Sequence, residues 1–270
     1  MAYKVLFPKG KKKAFTLSYD DNQIYDRRLI ELFRKYQVKG TFHINSGTIS
    51  TESDGNQFVT WKELKNLYDG QEVSCHGVNH PYFGQLSKLE KNNEILEDKR
   101  ALERACGYIV RGMSYPFGEY SDEIITVAKN AGMEYSRTVQ DTMGFEWPAD
   151  FMKWHPTCHH NKIFENSKML ETFLNTPSYM NLPLLYVWGH SFEFERQNNW
   201  EQMEYFLSQI SSQESVWYAT NIEIKDYILA VRNLNISADQ NMIYNPSAIT
   251  ISILTDGDVK ELHAKETIYL

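Results

Sequence analysis

The 270-residue sequence predicts an α/β fold on a parallel sheet, open or closed into a barrel, with a small antiparallel β appendage at its C-terminal end. Three observations predict it. Short β-favouring runs alternate with helical-period runs, giving six or seven strands before residue 234. The side chains capable of chemistry fall just past the carboxyl ends of those strands, the rim where parallel β/α folds bind ligands. Residues 242–270 then switch to alternating strands broken at Asn245-Pro246 and Asp256-Gly257. Barrels of this kind run to this length as one unit, so the expected division is a barrel domain over residues 1–234 and the appendage over 235–270.

Residues 14–19 alternate as a strand, stop at Asp20-Asp21-Asn22, and are followed by helical spacing to Tyr36. A second unit pairs a strand at 41–45 with a helix at 61–68, where Thr60 and Glu63 form a capping box. Residues 72–75 make the third strand. Ser87 and Glu90 repeat the capping box ahead of a charged helix to about residue 105, and residues 112–115 make the fourth strand. A helix at 122–130 begins behind Ser121, stops near Gly132 and leads to a strand at 135–139. Residues 140–166 mix aromatics with turn residues and show no period, so a long loop is expected there, with a short strand around 152–155. Beyond it come a helix at 168–174, a strand at 184–188, a helix at 200–210, a strand at 216–220 and a helix at 224–234. There is no internal repeat and no low-complexity tract.

An apolar share of 42% and an aromatic share of 14%, with charge spread along the chain, describe a folded rather than a disordered protein. The net charge of −7 removes the electrostatic basis for nucleic-acid binding, and four lysines around Gly10 read as a solvated lead-in to the first strand. No apolar stretch approaches the roughly 20 residues a membrane span needs, and the start lacks the apolar region of a secretory signal, so a cytoplasmic protein is expected. Cys75, Cys106 and Cys158 offer neither a disulfide framework nor a paired zinc motif, which suits a reducing compartment. Oligomeric state leaves no signature.

The rim set comprises Asp20, Asp21, Asn45, His76, residues 116–118, Arg137, His190 and Asn221. His76 and His80 are close enough in one loop to bind a single ion, Pro81 disfavouring a helix that continues through them. A third ligand is available from the paired aspartates. Neighbouring side chains in an extended segment point apart, so one can bind metal while the other stays free as a base. Two nitrogens and an oxygen suit zinc, and cobalt, nickel or iron also fit. Among the remaining histidines, His43 is expected inside the barrel and His159-His160 exposed in the irregular loop, while Cys75 should face the core.

These residues resemble the polysaccharide deacetylases with a NodB-homology domain, carbohydrate esterase family four. The strand ending in paired aspartates is Thr16-Leu17-Ser18-Tyr19-Asp20-Asp21, and the His-x-x-x-His motif is His76 to His80. The aromatic-proline-aromatic-glycine stretch is Tyr115-Pro116-Phe117-Gly118, and the late apolar strand closing in histidine is Leu185-Tyr186-Val187-Trp188-Gly189-His190. The likeness covers about residues 12–234. It implies a distorted (β/α) barrel of seven or eight strands and one divalent ion held by Asp21, His76 and His80. It further implies Asp20 as general base, His190 as general acid, and an oxyanion contact from the backbone near Phe117, with Tyr115 and Pro116 beside it. The implied reaction is hydrolysis of the N-acetyl group of an amino sugar in an oligo- or polysaccharide. A small ureide or cyclic amide is the alternative substrate, and a carbohydrate-binding barrel without catalysis is a third reading.

Two departures stand out. Ser114 occupies the position where the family carries an arginine, and the family's Asp-Trp motif has no clean match in residues 140–166. A partner for Asp20 must then come from elsewhere. Arg111 starts its strand, at the wrong end for the rim, so Arg137 on the next strand is expected to hold Asp20. Aromatics such as Tyr82, Phe83, Tyr120, Trp147 and Trp154 are candidates for stacking on sugar faces, with core packing the expected use of most of them.

Overall fold

The computed structural model describes residues 3–53, 55–177 and 182–270. Its centre is a curled sheet of eight parallel strands: β1 Lys13–Asp20, β2 Gly40–Ile44, β3 Glu72–Cys75, β4 Gly112–Ser114, β5 Tyr135–Arg137, β6 Cys158–His159, β7 Leu184–His190 and β8 Val216–Tyr218. The strands run in the order β5-β4-β3-β2-β1-β7-β6, and β8 pairs with β1 as well. The sheet curls until its edges meet through residues 154–159. Trp154 bridges to Arg137, its N–H donating to Ser136 O and its carbonyl accepting from Thr138 N, both at 3.0 Å, while β6 pairs with β7. The expected distorted barrel is therefore what forms.

The first strand shows how the sequence builds both faces. All eight of its residues are buried. Phe15 and Tyr19 pack outward on Phe206 and Phe33 of the surrounding helices. The alternate residues Thr16, Ser18 and Asp20 line the interior, where Thr16 bonds Asn221 at 2.9 Å and Ser18 meets His43 Nε2 at 2.8 Å. His43 thus fills the barrel, as expected.

Helices α1 Asp26–Lys35, α2 Trp61–Leu67, α3 Lys88–Cys106 and α4 Asp122–Asn130 follow the first four strands. Both expected capping boxes are present, and Gly107, at φ 80°, ends α3 in the left-handed conformation that glycine adopts without strain. Later come α5 His160–Glu165, α6 Ser167–Asn175, α7 Ser191–Arg196, α8 Trp200–Ile210 and α9 Asn221–Arg232.

Three local expectations change. The strand expected near residues 152–155 is a 3-10 turn, Phe151–Lys153, followed by the single bridging residue Trp154, with the strand itself at Cys158–His159. Pairing through one or two residues is too short to leave a period in the sequence. Helix α5 lies in what reads as loop. Asn221 does not reach the rim. Because β8 pairs with residues 13–15, the lower half of β1, the α9 N-terminus plugs the opposite end of the barrel. There Asn221 Nδ2 donates to Tyr186 Oη at 2.6 Å and Ile222 N–H donates to Glu72 at 2.9 Å.

The antiparallel strands expected near the C-terminus form two three-stranded sheets. One joins Lys4–Leu6, Ile251–Thr255 and Asp258–Leu262, so the first residues of the chain pair with some of the last. The other joins Asn235–Ile236, Met242–Tyr244 and Thr267–Tyr269.

Candidate active site

Parallel register brings the ends of three strands level. Asp20 at the end of β1 is the partner of His43 in β2 and of His190 in β7. Asp21 then leaves the strand at φ 75°, a conformation costly for a residue with a Cβ, its N–H donating to His43 O at 3.1 Å. This turn sends its carboxylate toward the loop after β3. Asp21 Oδ1 lies 3.5 Å from His76 Nε2 and 3.6 Å from His80 Nε2.

Helix α3 holds that loop. Asp98 accepts the His76 N–H at 2.9 Å and the Ser46 N–H at 2.8 Å, while Glu94, one turn earlier on the same face, accepts Asn79 N at 2.9 Å and Asn79 Nδ2 at 2.6 Å. Asn45 Nδ2 donates to the carbonyls of His76 and Gly77. Gly77 at φ 78° and His80 at φ 51° turn the chain tightly enough to bring the second imidazole back. The ring centroids of His76 and His80 lie 4.8 Å apart.

His76 Nδ1 lies 3.0 Å from the Ser114 carbonyl and 2.7 Å from Ser114 Oγ. A carbonyl only accepts, so the proton belongs on Nδ1 and the Nε2 lone pair faces Asp21. Burial pushes this imidazole below its ordinary pKa, which keeps it neutral. Asp21 Oδ1 and His76 Nε2 are both buried without a hydrogen-bond partner, and the donor atoms of Asp21, His76 and His80 lie within 4.8 Å of one another. Buried lone pairs left without a partner are costly unless something binds them. Two imidazole nitrogens and a carboxylate oxygen gathered in this way fit a divalent ion.

Asp20 is differently placed. Arg137 Nη2 donates to its Oδ2, and Ser114 Oγ donates to its Oδ1 at 3.2 Å. Ser114 and Arg137 are cross-strand partners in β4 and β5, so the serine sits directly beside the arginine that reaches Asp20. Burial alone would raise this carboxyl; the Arg137 charge, then His76, His43 and His190, outweigh it and hold Asp20 well below the usual carboxylate range. The guanidinium is itself fully buried, its carbon 4.6 Å from the centroid of the Trp188 ring. Arg111 instead pairs with Glu134 and Asp226 at 2.6 Å and 2.8 Å, away from the site.

His190 completes the cluster, with Nε2 3.9 Å from Asp21 Oδ2 and Nδ1 3.2 Å from Glu193 Oε1. Its burial favours the neutral ring, but the Glu193 hydrogen bond and the charges of Asp21 and Asp20 win, raising its pKa above the ordinary value. Tyr115 and Pro116 are buried, the Tyr115 hydroxyl donating to Met152 O at 2.9 Å. Phe117, at φ 56°, turns outward. Its ring stacks flat on Tyr82 with centroids 3.7 Å apart, and lies 4.4 Å from His80. Phe83 and Trp154 pack in the core, and Trp147 packs against Phe7.

His159 and His160 correct an expectation of exposure. His160 is fully buried against Tyr19, Phe164 and Phe194, and both rings converge on Glu193. The aromatic neighbours surround a side chain whose burial pushes its pKa down to about 4. Glu193 escaped the sequence reading altogether. Its only signal is that it stands three residues after His190, one turn into a helix that begins where the strand ends.

Residues 8–136 match the family model for polysaccharide deacetylase, and the likeness read from the motifs is borne out over that span. Asp20, Asp21, His76, His80 and residues 115–118 fall inside it; Arg137 and His190 lie beyond. A chitooligosaccharide deacetylase of Sinorhizobium fredii is 26% identical over 120 residues, covering 43% of this chain and 53% of the relative. A peptidoglycan-N-acetylglucosamine deacetylase of Bacillus cereus is 24% identical over 149 residues, covering 54% and 62%. The chain thus spans little more than half the length of these relatives. In fold, a Mycobacterium smegmatis crystal structure described as a candidate polysaccharide deacetylase superposes with a TM-score of 0.63 at 16% identity, covering 84% of this chain and 94% of that one. The likeness supports the barrel.

Proposed function

We propose that the protein is a metal-dependent deacetylase that hydrolyses the N-acetyl group of an amino sugar in an oligo- or polysaccharide. One observation carries the reading: Asp20, Asp21, His76, His80, Arg137 and His190 converge at one rim, where Asp21 Oδ1 and His76 Nε2 are buried and unpartnered. Asp21, His76 and His80 are the residues to hold the ion, for which zinc is the first choice and cobalt, nickel or iron also suit. Such an ion supplies a Lewis acid for the acetyl carbonyl and a more acidic water.

The chain's own groups divide the remaining work. Asp20 takes a proton from the attacking water as its oxygen bonds the carbonyl carbon. Arg137 and Ser114 fix that carboxylate, the arginine lowering its basicity while holding it ionised and oriented. As the C–N bond breaks, His190 gives its Nε2 proton to the departing amine, and acetate is left behind. Glu193 accepts from the Nδ1 side of His190, which leaves Nε2 as the nitrogen that gives up the proton. The Phe117 backbone N–H is assigned to the oxyanion, on the turn that Tyr115 and Pro116 anchor.

Among the described residues no helix is long and apolar enough to cross a membrane. Short N-acetylglucosamine oligomers are the substrates to assay first. Acetate release should vanish on chelation and return with added divalent metal. Absence of release from metal-reloaded protein across such oligomers would overturn the reading.

A further inference from the structure

We propose that His159, His160 and Glu193 form a second divalent-cation site. It lies outside the Asp21, His76 and His80 triad, and its argument is independent of what substrate the protein takes.

Three elements build the cluster. His159 ends β6, His160 opens α5, and Glu193 sits in the first turn of α7, immediately after β7. Gly189 in β7 makes room: a Cβ there would collide with the His160 ring and come within 3.2 Å of His159 Nε2. His160 is fully buried, its ring walled by Tyr19, Phe164 and Phe194. The Glu193 and His159 side chains keep 20% and 17% exposure, which leaves a path for an ion from solvent.

Donor geometry is the central observation. Glu193 Oε2 lies 2.9 Å from His159 Nε2 and 3.1 Å from His160 Nε2, yet Oε2 and both ring nitrogens of His160 are buried without a hydrogen-bond partner, and an ion at Nε2 answers one of the two. The ring nitrogens are near the oxygen without aiming at it. These separations lie at the short end of what an ion between them requires, because ligands about 2.0–2.2 Å from one metal stand about 2.8–3.6 Å apart between right-angled and tetrahedral arrangements, with lone pairs aimed at the metal. The three donor atoms lie within 4.8 Å of one another. The same signature of close, buried and unpartnered donors marks Asp21 and His76.

The surroundings agree with this assignment. Burial keeps the His160 ring neutral, with a nitrogen lone pair available. Glu193 Oε1 already accepts from His190 Nδ1 at 3.2 Å, the outer hydrogen bond that orients a ligating carboxylate. His159 Nδ1 receives a long 3.3 Å contact from Asn161 N, and coordination through Nε2 exchanges that contact for a proton on Nδ1. Two imidazoles and a carboxylate select a zinc-class ion over calcium or magnesium, which prefer oxygen ligands throughout.

Elemental analysis tests the site directly. The full chain is stripped with chelator, reloaded with zinc and desalted before counting. Wild type should hold two equivalents, His159→Ala and Glu193→Gln one each, His80→Ala one, and the His80→Ala/His159→Ala double variant none. Far-UV circular dichroism checks that each variant is folded, and Glu193→Gln, nearly isosteric, covers the case in which His159→Ala is not. One equivalent in wild type, lost in His80→Ala and kept in His159→Ala, overturns the second site and leaves the proposed function standing. Loss in His159→Ala and Glu193→Gln but not in His80→Ala supports the second site and counts against the first triad.

Discussion

At the lower end of the barrel, Glu72 accepts hydrogen bonds from Thr41, Tyr135 and the Ile222 N–H at 2.7–2.9 Å, and Asn221 bridges Thr16 and Tyr186. At the upper end, Asp21 Oδ1 and His76 Nε2 are equally buried and have no partner, and Asp21, His80 and Phe117 all adopt positive φ. Both ends bury carboxylates and aromatics in the same barrel. The difference lies in satisfaction. A polar group whose every lone pair is met contributes structure, whereas unmet lone pairs on a strained backbone cost free energy that binding recovers. The contrast predicts that substitutions above should change turnover and metal content, and substitutions below should change stability.

The paired aspartates should show the largest effects. Asp20→Asn should lower kcat by roughly 10²–10⁴, the usual worth of a proton-transfer group, with metal content retained; Asp21→Asn should lose the metal as well. Acetate-release kinetics and elemental analysis on the same preparations check both. Near-wild-type turnover in Asp20→Asn would remove it as base. Next comes Arg137→Lys, which keeps the charge but loses the planar fork and the stack on Trp188, and should cut kcat by roughly 10- to 100-fold. Arg111→Lys should leave kcat unchanged, because that side chain spans Glu134 and Asp226.

The lower end answers to pH. Burial pushes Glu72 up to about 7 against the hydrogen bonds that favour its ionised form. Because the folded state binds this proton more tightly than the unfolded chain, its contribution is complete below about pH 4 and disappears as pH rises through 7. The shift corresponds to about 3 kcal/mol over that window. Glu72→Gln removes this titration. Urea unfolding should therefore show the variant costing more stability at pH 5 than at pH 8, with kcat unaffected at either. An equal cost at both would mean that Glu72 is ionised throughout.

Convergence of the upper cluster was legible because parallel strands end level: once 14–19, 72–75 and 184–188 read as strands, Asp20, His76 and His190 had to share a rim. Arg137 followed from the same logic, one strand along from Ser114. What these groups do is for the substitutions to measure. Asn221 failed the rule because its strand pairs with the lower half of β1, a register that no local pattern encodes. Glu193 was missed, and His160 was expected to be exposed, for a related reason: helices α5 and α7 start directly at strand ends, so no turn residues announced them. The pairing of Lys4–Leu6 with Ile251–Thr255 joins segments almost a whole chain apart, and alternation alone names no partner.

A smaller difference separates the aromatics at the upper rim from those of the core. Core aromatics such as Phe83 and Trp154 are enclosed on every side, but Tyr82 and Phe117 are about half exposed while stacked on each other beside His80. If the proposed function holds, this flat, exposed apolar pair at the edge of the site offers a surface for a sugar ring, whose C–H faces pack on aromatic planes. Such a contact holds the substrate equally in the ground and transition states, so losing it should raise KM and leave kcat alone. Tyr82→Ala removes the outer ring without touching the Phe117 backbone. A loss of about 1 kcal/mol, the scale of one aromatic contact, corresponds to a roughly fivefold rise in KM. The effect should grow with oligomer length if the pair contacts a sugar next to the reacting one, and be constant if it contacts the reacting sugar itself. A fall in kcat with KM unchanged would instead mean that Tyr82 supports the Phe117 turn, and through it the oxyanion contact.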